Sequence, residues 1–233
     1  MGFLFGGLRL TFELAAISVA GGFLLGTILC MGRLSSKPWL FLPATLYVNL
    51  FRSLPLILVI FWFYFLVPIL IGRPLGDYLS ALIAFVAFEA AYFAEIIRGG
   101  IHSVPTGQME AGYSTGLRYH QIMLYVILPQ AVKNMVPPLV TQCVIIFQDT
   151  SLAYVIGLKE FLRRVSIVDL REFRSVELYL FAAAVYLVFC SGGAILSRQL
   201  ERRQRRHFDG ADSHTKAKRL SLGLPSTVER FSP

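Results

Sequence analysis

Uncharged runs punctuate this chain more sharply than any short-range periodicity. Nineteen residues, Leu14 to Gly32, separate Glu13 from Arg33. Twenty separate Arg52 from Arg73, and twenty more separate Glu177 from Arg198. About 20 apolar residues rising about 1.5 Å each cross a hydrocarbon core, so each run predicts a spanning helix. A fourth stretch, Tyr78 to Ile97, is apolar apart from Glu89 and Glu95. The fifth is interrupted: Asn134 to Gln148 is uncharged, Asp149 follows, and the apolar character resumes to Leu158. Pro137-Pro138 is expected to disrupt its helix. The pattern predicts an all-α integral membrane protein with five spans, at about 10–32, 53–72, 78–97, 134–158 and 177–198. Residues 1–206 form the membrane domain. Residues 207–233 mix Gly, Ser, Pro, His and both charges without periodicity, which predicts a disordered cytoplasmic tail.

Composition narrows the class. The chain is 55% hydrophobic and 15% charged, with a mean hydropathy of +0.62. Soluble domains carry about 25% charged residues, so an ordinary soluble enzyme is excluded. The net charge is +8, and nine bases against four acids fall in residues 198–233. A basic tail on an apolar chain fits a membrane protein and not a nucleic-acid binder. Cys30, Cys143 and Cys190 sit in apolar runs without metal-ligand spacing or a disulfide framework, so they read as small buried hydrophobes. The first apolar stretch is too long for a signal-peptide core and reads as a retained span. Lys and Arg favour the cytoplasmic side of span ends. Arg202, Arg203, Arg205 and Arg206 therefore put the C-terminus inside and, with five spans, the N-terminus outside. Connections 33–52 and 98–133 then fall inside and 72–77 outside. Residues 159–176 are external despite five bases there. No GxxxxGK[ST] or GxGxxG phosphate loop occurs, so this chain is expected to bind no ATP itself.

The long inside connection carries most of the information. Thr106 is positioned to N-cap a short helix whose first turn holds Gln108 and Glu110. Gly116 is free to take a positive φ and end it. A second helix is expected from about Leu117, with Leu117, Met123, Leu124 and Ile127 as apolar contacts, until Pro129 breaks it. Two short helices meeting at a glycine make a stiff cytoplasmic knob. An interfacial amphipathic hairpin is the plainer reading.

At this point the residues resemble a family. Glu110-Ala111-Gly112, three residues, Gly116, nine residues, Val126, one residue, Leu128-Pro129 is similar to the EAA loop of ABC-importer permeases, E-A-A-x3-G-x9-I-x-L-P. Gly112 stands for Ala and Val126 for Ile. Ala94 to Ile101, Phe51-Arg52-Ser53-Leu54-Pro55 and Gln148-Asp149-Thr150-Ser151-Leu152 resemble the polar-amino-acid branch. Residues 6–200 are most similar to permease subunits of glutamate/aspartate importers. The resemblance implies a type I ABC importer permease fold, with Glu110, Ala111, Gly112, Gly116, Leu117, Tyr119, His120, Leu128 and Pro129 seated in a cytoplasmic ATPase. It also implies an ATPase dimer carrying ATP and Mg, a second permease subunit (identical or different), an external amino-acid-binding protein, and a bacterial inner membrane. This chain itself is expected to hold no cofactor or metal.

Each ionisable group inside a span costs about 2.5–3.5 kcal/mol on insertion scales and demands a reason. Glu95 and Arg98, at i and i+3, can pair on one helix face. Glu89 can line a pathway with Tyr92 or bridge two helices. Gln148, Asp149, Thr150 and Ser151 sit at the interrupted span, where broken helices border substrates, although Asp149 can equally cap structure. Arg52 can simply snorkel. These acids repel a dicarboxylate, and no deep cation stands out. Glutamine, histidine or arginine remain alternative cargoes. A secondary carrier, a channel or an integral-membrane enzyme are the readings from other classes, though His102, His120, His207 and His214 are scattered.

Overall fold

The computed structural model describes the backbone of residues 2–221 and the side chains of residues 2–202. The described residues are entirely helical apart from turns: α1 Gly2–Arg33, α2 Pro38–Arg52, α3 Leu56–Phe61, α4 Val67–Ile71, α5 Asp77–His102, α6 Thr106–Ser114, α7 Tyr119–Ile122, α8 Leu128–Asp149, α9 Phe161–Glu172 and α10 Ser175–Ser221. Four stretches, Gly2–Arg33, Asp77–His102, Tyr119–Ile156 and Ser175–Arg202, are long and apolar enough to cross a membrane. Pro38–Arg52 and Leu56–Ile71, bent by 108°, add a fifth if taken as one broken span. The tail expected from residue 207 onward lies outside the described side chains, and residues 222–233 lie outside the described residues altogether.

α5 is the central helix, packed by α1, α2, α3 and α8. Small residues set how closely α1 approaches it. A methyl at Gly26 would stand 2.7 Å from Phe93 Cβ and 2.8 Å from the Ala90 carbonyl. Gly22, four residues earlier, is similarly tight against Glu89 and Phe93. Spacing of this kind lets two helix backbones touch, which is how spans associate where lipid removes the hydrophobic drive.

Prolines shape the other elements without ending them where expected. Residues 33–52, read as a connection, contain the helix α2. Only fourteen uncharged residues separate Lys37 from Arg52, too few for the spanning rule to register. α2 stops because Leu54 precedes Pro55 and is barred from the helical region, so the chain turns there into α3. Pro129 does not break its helix either. A wide π-turn over Met123–Ile127 closes with Leu128 N–H on the Met123 carbonyl just before it. The same arrangement, Trp62–Leu66 with Val67 N–H on Trp62, precedes Pro68. The wide turn relieves the clash between a proline ring and the carbonyl four residues back. Pro137 and Pro138 lie within continuous α8. The Pro137 carbonyl accepts from the Thr141 hydroxyl at 3.2 Å and from Ser197 of α10 at 3.1 Å, which ties the two helices together.

Residues 159–176, expected as an external connection, contain the helix α9. Glu160 caps α9, its carboxylate accepting from the amides of Leu162 at 2.8 Å and Arg163 at 2.6 Å. Burial pushes that carboxyl up to about 7, against the pull of the two amides. Arg164 donates to the Phe3 carbonyl at 2.7 Å, fastening α9 to the start of α1.

Candidate functional site

Two groups of residues stand at the same end of the bundle, where α1, α2 and α5 finish. The first is the knob. Pro105, not Thr106, occupies the N-cap of α6, with no side-chain cap. Pro105 has an extended backbone and leaves Thr106 as the first helical residue. Gly116 takes φ +80°. Its N–H reaches the Tyr113 carbonyl at 2.9 Å, and Leu117 N–H reaches Gly112 at 3.2 Å. These two bonds are the pair that closes a helix through a left-handed glycine. Gln121 then caps α7 by accepting from Arg118 N–H at 2.9 Å.

The glycine in place of alanine at 112 has a visible counterpart. A methyl there would lie 2.7 Å from Ile122 Cγ1 and 2.9 Å from Cδ1. Ile122 is fully buried and fills that notch, locking α6 onto α7. Gly112→Ala is therefore expected to lower the stability of the purified complex by about 1–3 kcal/mol, read as a drop in thermal midpoint. Combined with Ile122→Ala the loss should be smaller than the sum of the two single losses. Strict additivity would show that the two positions do not share the space.

Around the joint, Glu110, Ala111, Tyr119, His120, Leu128 and Pro129 are exposed, and Leu117 is half-buried. Tyr113, which the motif does not single out, is 52% exposed on the same knob. A cavity of about 430 Å³ beside it is lined by His102, Met109, Glu110 and Tyr119 among others. The Glu110 carboxylate forms no hydrogen bond or ion pair among the described residues.

The second group is a charge cluster. Glu95 pairs with Arg98, as the i, i+3 spacing allows, and also with Arg33 from the end of α1. Arg52 approaches the same carboxylate at 3.5 Å, with its guanidinium 5.8 Å from the centre of the Tyr92 ring. Arg52 thus has protein partners where sequence reasoning offered only snorkelling. The signal available was that Arg33, Arg52 and Arg98 all stand at helix ends facing one side.

Deeper along α5, Glu89 is fully buried. Its Oε2 accepts from Gln142 of α8 at 2.7 Å, and its Oε1 has no hydrogen-bond partner among the described residues. Gln142 went unremarked in the sequence, where an amide in the middle of an uncharged run was the only sign. Asp149 stands half-buried where α8 tightens into the 3₁₀ turn Thr150–Ile156. Thr150 is buried, its hydroxyl on the Phe147 carbonyl at 2.7 Å, while Ser151 is half-buried and Gln148 exposed. Glu89, Tyr92 and Asp149 lie within electrostatic reach of one another. Arg52 and Tyr92 are therefore brought together, and Glu89 and Asp149 stand near the same ring.

Residues 19–206 match the family model for the binding-protein-dependent transport system inner membrane component. The chain belongs to that family. It is an ABC-importer permease, a transport subunit and not an enzyme. It is 43% identical over 208 residues to the glutamate/aspartate import permease GltK of Escherichia coli O6:H1, covering 86% of this chain and 93% of that one. It is 36% identical over 207 residues to the probable glutamine permease GlnP of Bacillus subtilis, covering 88% and 94%. A crystal structure of an amino acid ABC transporter with histidines superposes with a TM-score of 0.83 at 31% identity, covering 87% of this permease and 94% of that chain. The fold is accordingly the type I importer permease fold. Permeases of this family span the membrane several times and work with a separate ATPase and a substrate-binding protein.

Proposed function

We propose that this permease translocates an acidic amino acid, glutamate or aspartate, inward across a bacterial inner membrane, driven by an ATPase dimer that holds ATP and Mg. The likeness to a glutamate/aspartate permease along nearly the whole membrane domain is the observation that carries the substrate. Glu110, Ala111, Gly112, Gly116, Leu117, Tyr119, His120, Leu128 and Pro129 form the surface seated in the ATPase, and a second permease subunit completes the path. A stiff knob is what this task needs: closure of the ATPases reaches the spans through α7 and the base of α8. Glu89, Tyr92, Gln148, Asp149, Thr150 and Ser151 border the route, with Glu95 and Arg98 structural. This chain itself holds no cofactor.

The measurement that tests the cargo is competition for uptake in proteoliposomes containing the complete importer, with glutamate, aspartate, glutamine, histidine and arginine. Glutamate and aspartate are expected to compete and arginine is not. A second reading has its own support: Glu89 and Asp149 are acids along the route and suit a cationic cargo. Competition by arginine alone would establish it.

The knob end faces the cytoplasm, and α9 with the N-terminus faces outside. Arg33, Arg52 and Arg98 gathered at one end favour this orientation, in keeping with the inward preference of basic residues. A cysteine at Ser35 or Thr106 should be shielded from an impermeant thiol reagent applied outside, and one at Ser166 should react. Labelling of Thr106→Cys in sealed cells would reverse the orientation.

A further inference from the structure

We propose that the arginines just beyond the α10 span form a binding site for anionic phospholipid headgroups. The proposal depends neither on the cargo nor on the coupling knob.

Lengthwise, α10 divides into two faces. Ala182, Tyr186, Cys190, Gly193 and Ser197 recur every three or four residues and form the packed face. Ala182 is buried with Phe161 and Val165 of α9. The Tyr186 ring lies 5.6 Å from Phe147 of α8, and Gly193 sits directly against Val144. Ser197 is buried, with its hydroxyl 2.9 Å from that of Thr141. The other face is open: Leu180, Leu187, Val188 and Ile195 are all at least 54% exposed. Of the four long spans α10 is the least buried. At membrane depth this apolar face meets lipid tails.

Beyond the hydrocarbon the same face turns basic. Twenty uncharged residues separate Glu177 from Arg198. They rise about 30 Å, the thickness of the apolar core, so Arg198 stands where the headgroups begin. Residues 198–206 hold five arginines against one acid, Glu201. The helix continues past them to Ser221. At about 100° per residue, Arg198, Arg202, Arg205 and Arg206 fall within an arc of about 100°. Leu180, Leu187, Val188 and Ile195 share that arc; of the five arginines only Arg203 lies off it. Orientation in the membrane needs only enough bases near a span end. Their alignment with the lipid-facing stripe is a further restriction, and it is the one headgroup binding requires. Arg198 and Arg202 are exposed and form no hydrogen bond or ion pair among the described residues, so their donors are free for phosphate oxygens. The guanidinium fork matches phosphate, and a basic cluster directly beside a span attracts an anionic leaflet.

The test is native mass spectrometry of the purified permease–ATPase complex, titrated with phosphatidylglycerol and with phosphatidylcholine of the same acyl chains. Both lipids carry a phosphate, and only the first has a net negative charge. The wild type is expected to bind phosphatidylglycerol at least about tenfold more tightly, since each arginine near an anionic surface contributes about fivefold. Arg198→Gln, Arg202→Gln, Arg205→Gln and Arg206→Gln combined should cut that ratio at least about fivefold. No preference in the wild type, or the same ratio in the variant, would overturn the assignment. Inorganic phosphate at matched ionic strength should leave the lipid bound; displacement would mean a free-phosphate site and reject the lipid. If the variant loses the ATPase or a second permease subunit while its lipid ratio is unchanged, the stripe faces protein and the proposal falls. Should the fourfold variant not assemble, Arg198→Gln with Arg202→Gln alone should lower the ratio at least about threefold. The wild-type ratio in that pair would sink the proposal equally.

Discussion

Proline at position 116 should abolish uptake while leaving the chain inserted and the complex assembled. Gly116 holds φ at +80°, and a proline ring holds φ near −65°, so the left-handed joint cannot form. Proline also removes the N–H that meets the Tyr113 carbonyl at 2.9 Å. Without that bond and its neighbour from Leu117, α6 loses its fixed angle to α7. The spans themselves contain none of these contacts, which is why insertion should survive. Glu110→Lys is the sharper companion experiment. The carboxylate is exposed and forms no hydrogen bond or ion pair among the described residues, so its loss costs this fold little. Any drop in uptake must then come from a partner surface, and more than about tenfold is expected for reversing a charge seated at an interface. The assay is uptake and ATP hydrolysis measured together in proteoliposomes, where ATP turnover should persist without transport. Wild-type uptake by both variants would refute the coupling role of the knob.

Glu95→Gln should be the most destabilising single change in the membrane domain that leaves the packing volume intact. The carboxylate is the shared anion of Arg33, Arg52 and Arg98, which arrive from three different helices. Removing one partner of a buried pair costs about 3–5 kcal/mol, because the remaining charge is stranded. Here the carboxylate side chain is 24% exposed, so water screens part of the repulsion among the three cations. A loss of about 2–3 kcal/mol is the expected result. It should appear as a fall of several degrees in the thermal midpoint of the purified complex, and high salt should narrow the gap to wild type. A midpoint equal to wild type would mean that the three arginines are each satisfied elsewhere.

Membrane character, helical class and the position of the knob could be read from the chain because each rests on local physics. A run of twenty uncharged residues has one stable arrangement in lipid, a helix that satisfies its own backbone. The left-handed turn at Gly116 and the pairing of Glu95 with Arg98 are equally local, set within three or four residues. The failures were local rules overruled by wider geometry. Pro129, Pro137 and Pro138 read as breaks, yet the helices continue through them: a π-turn precedes Pro129, and α8 runs on through Pro137 and Pro138. Thr106 has the right chemistry for an N-cap, but Pro105 before it already fixes the extended backbone that position requires. The α2 helix escaped because it is too short for a spanning rule.

The sequence by itself thus determined that this chain lives in a membrane, that it is built of helices, and which motif marks its family. Hydrophobic transfer and backbone self-satisfaction act along the chain, so composition and run length suffice. Only the tertiary structure decided which charges meet. Arg33 is 62 residues from Glu95, and Gln142 is 53 from Glu89. No spacing rule links residues so far apart in sequence; the close approach of α1 to α5 and of α8 to α5 does. The same holds for Arg52, a charge at the end of a span until a 108° corner sets its guanidinium against Tyr92 and Glu95. Partners across helices are a property of packing, and packing depends on the small residues that let two backbones touch.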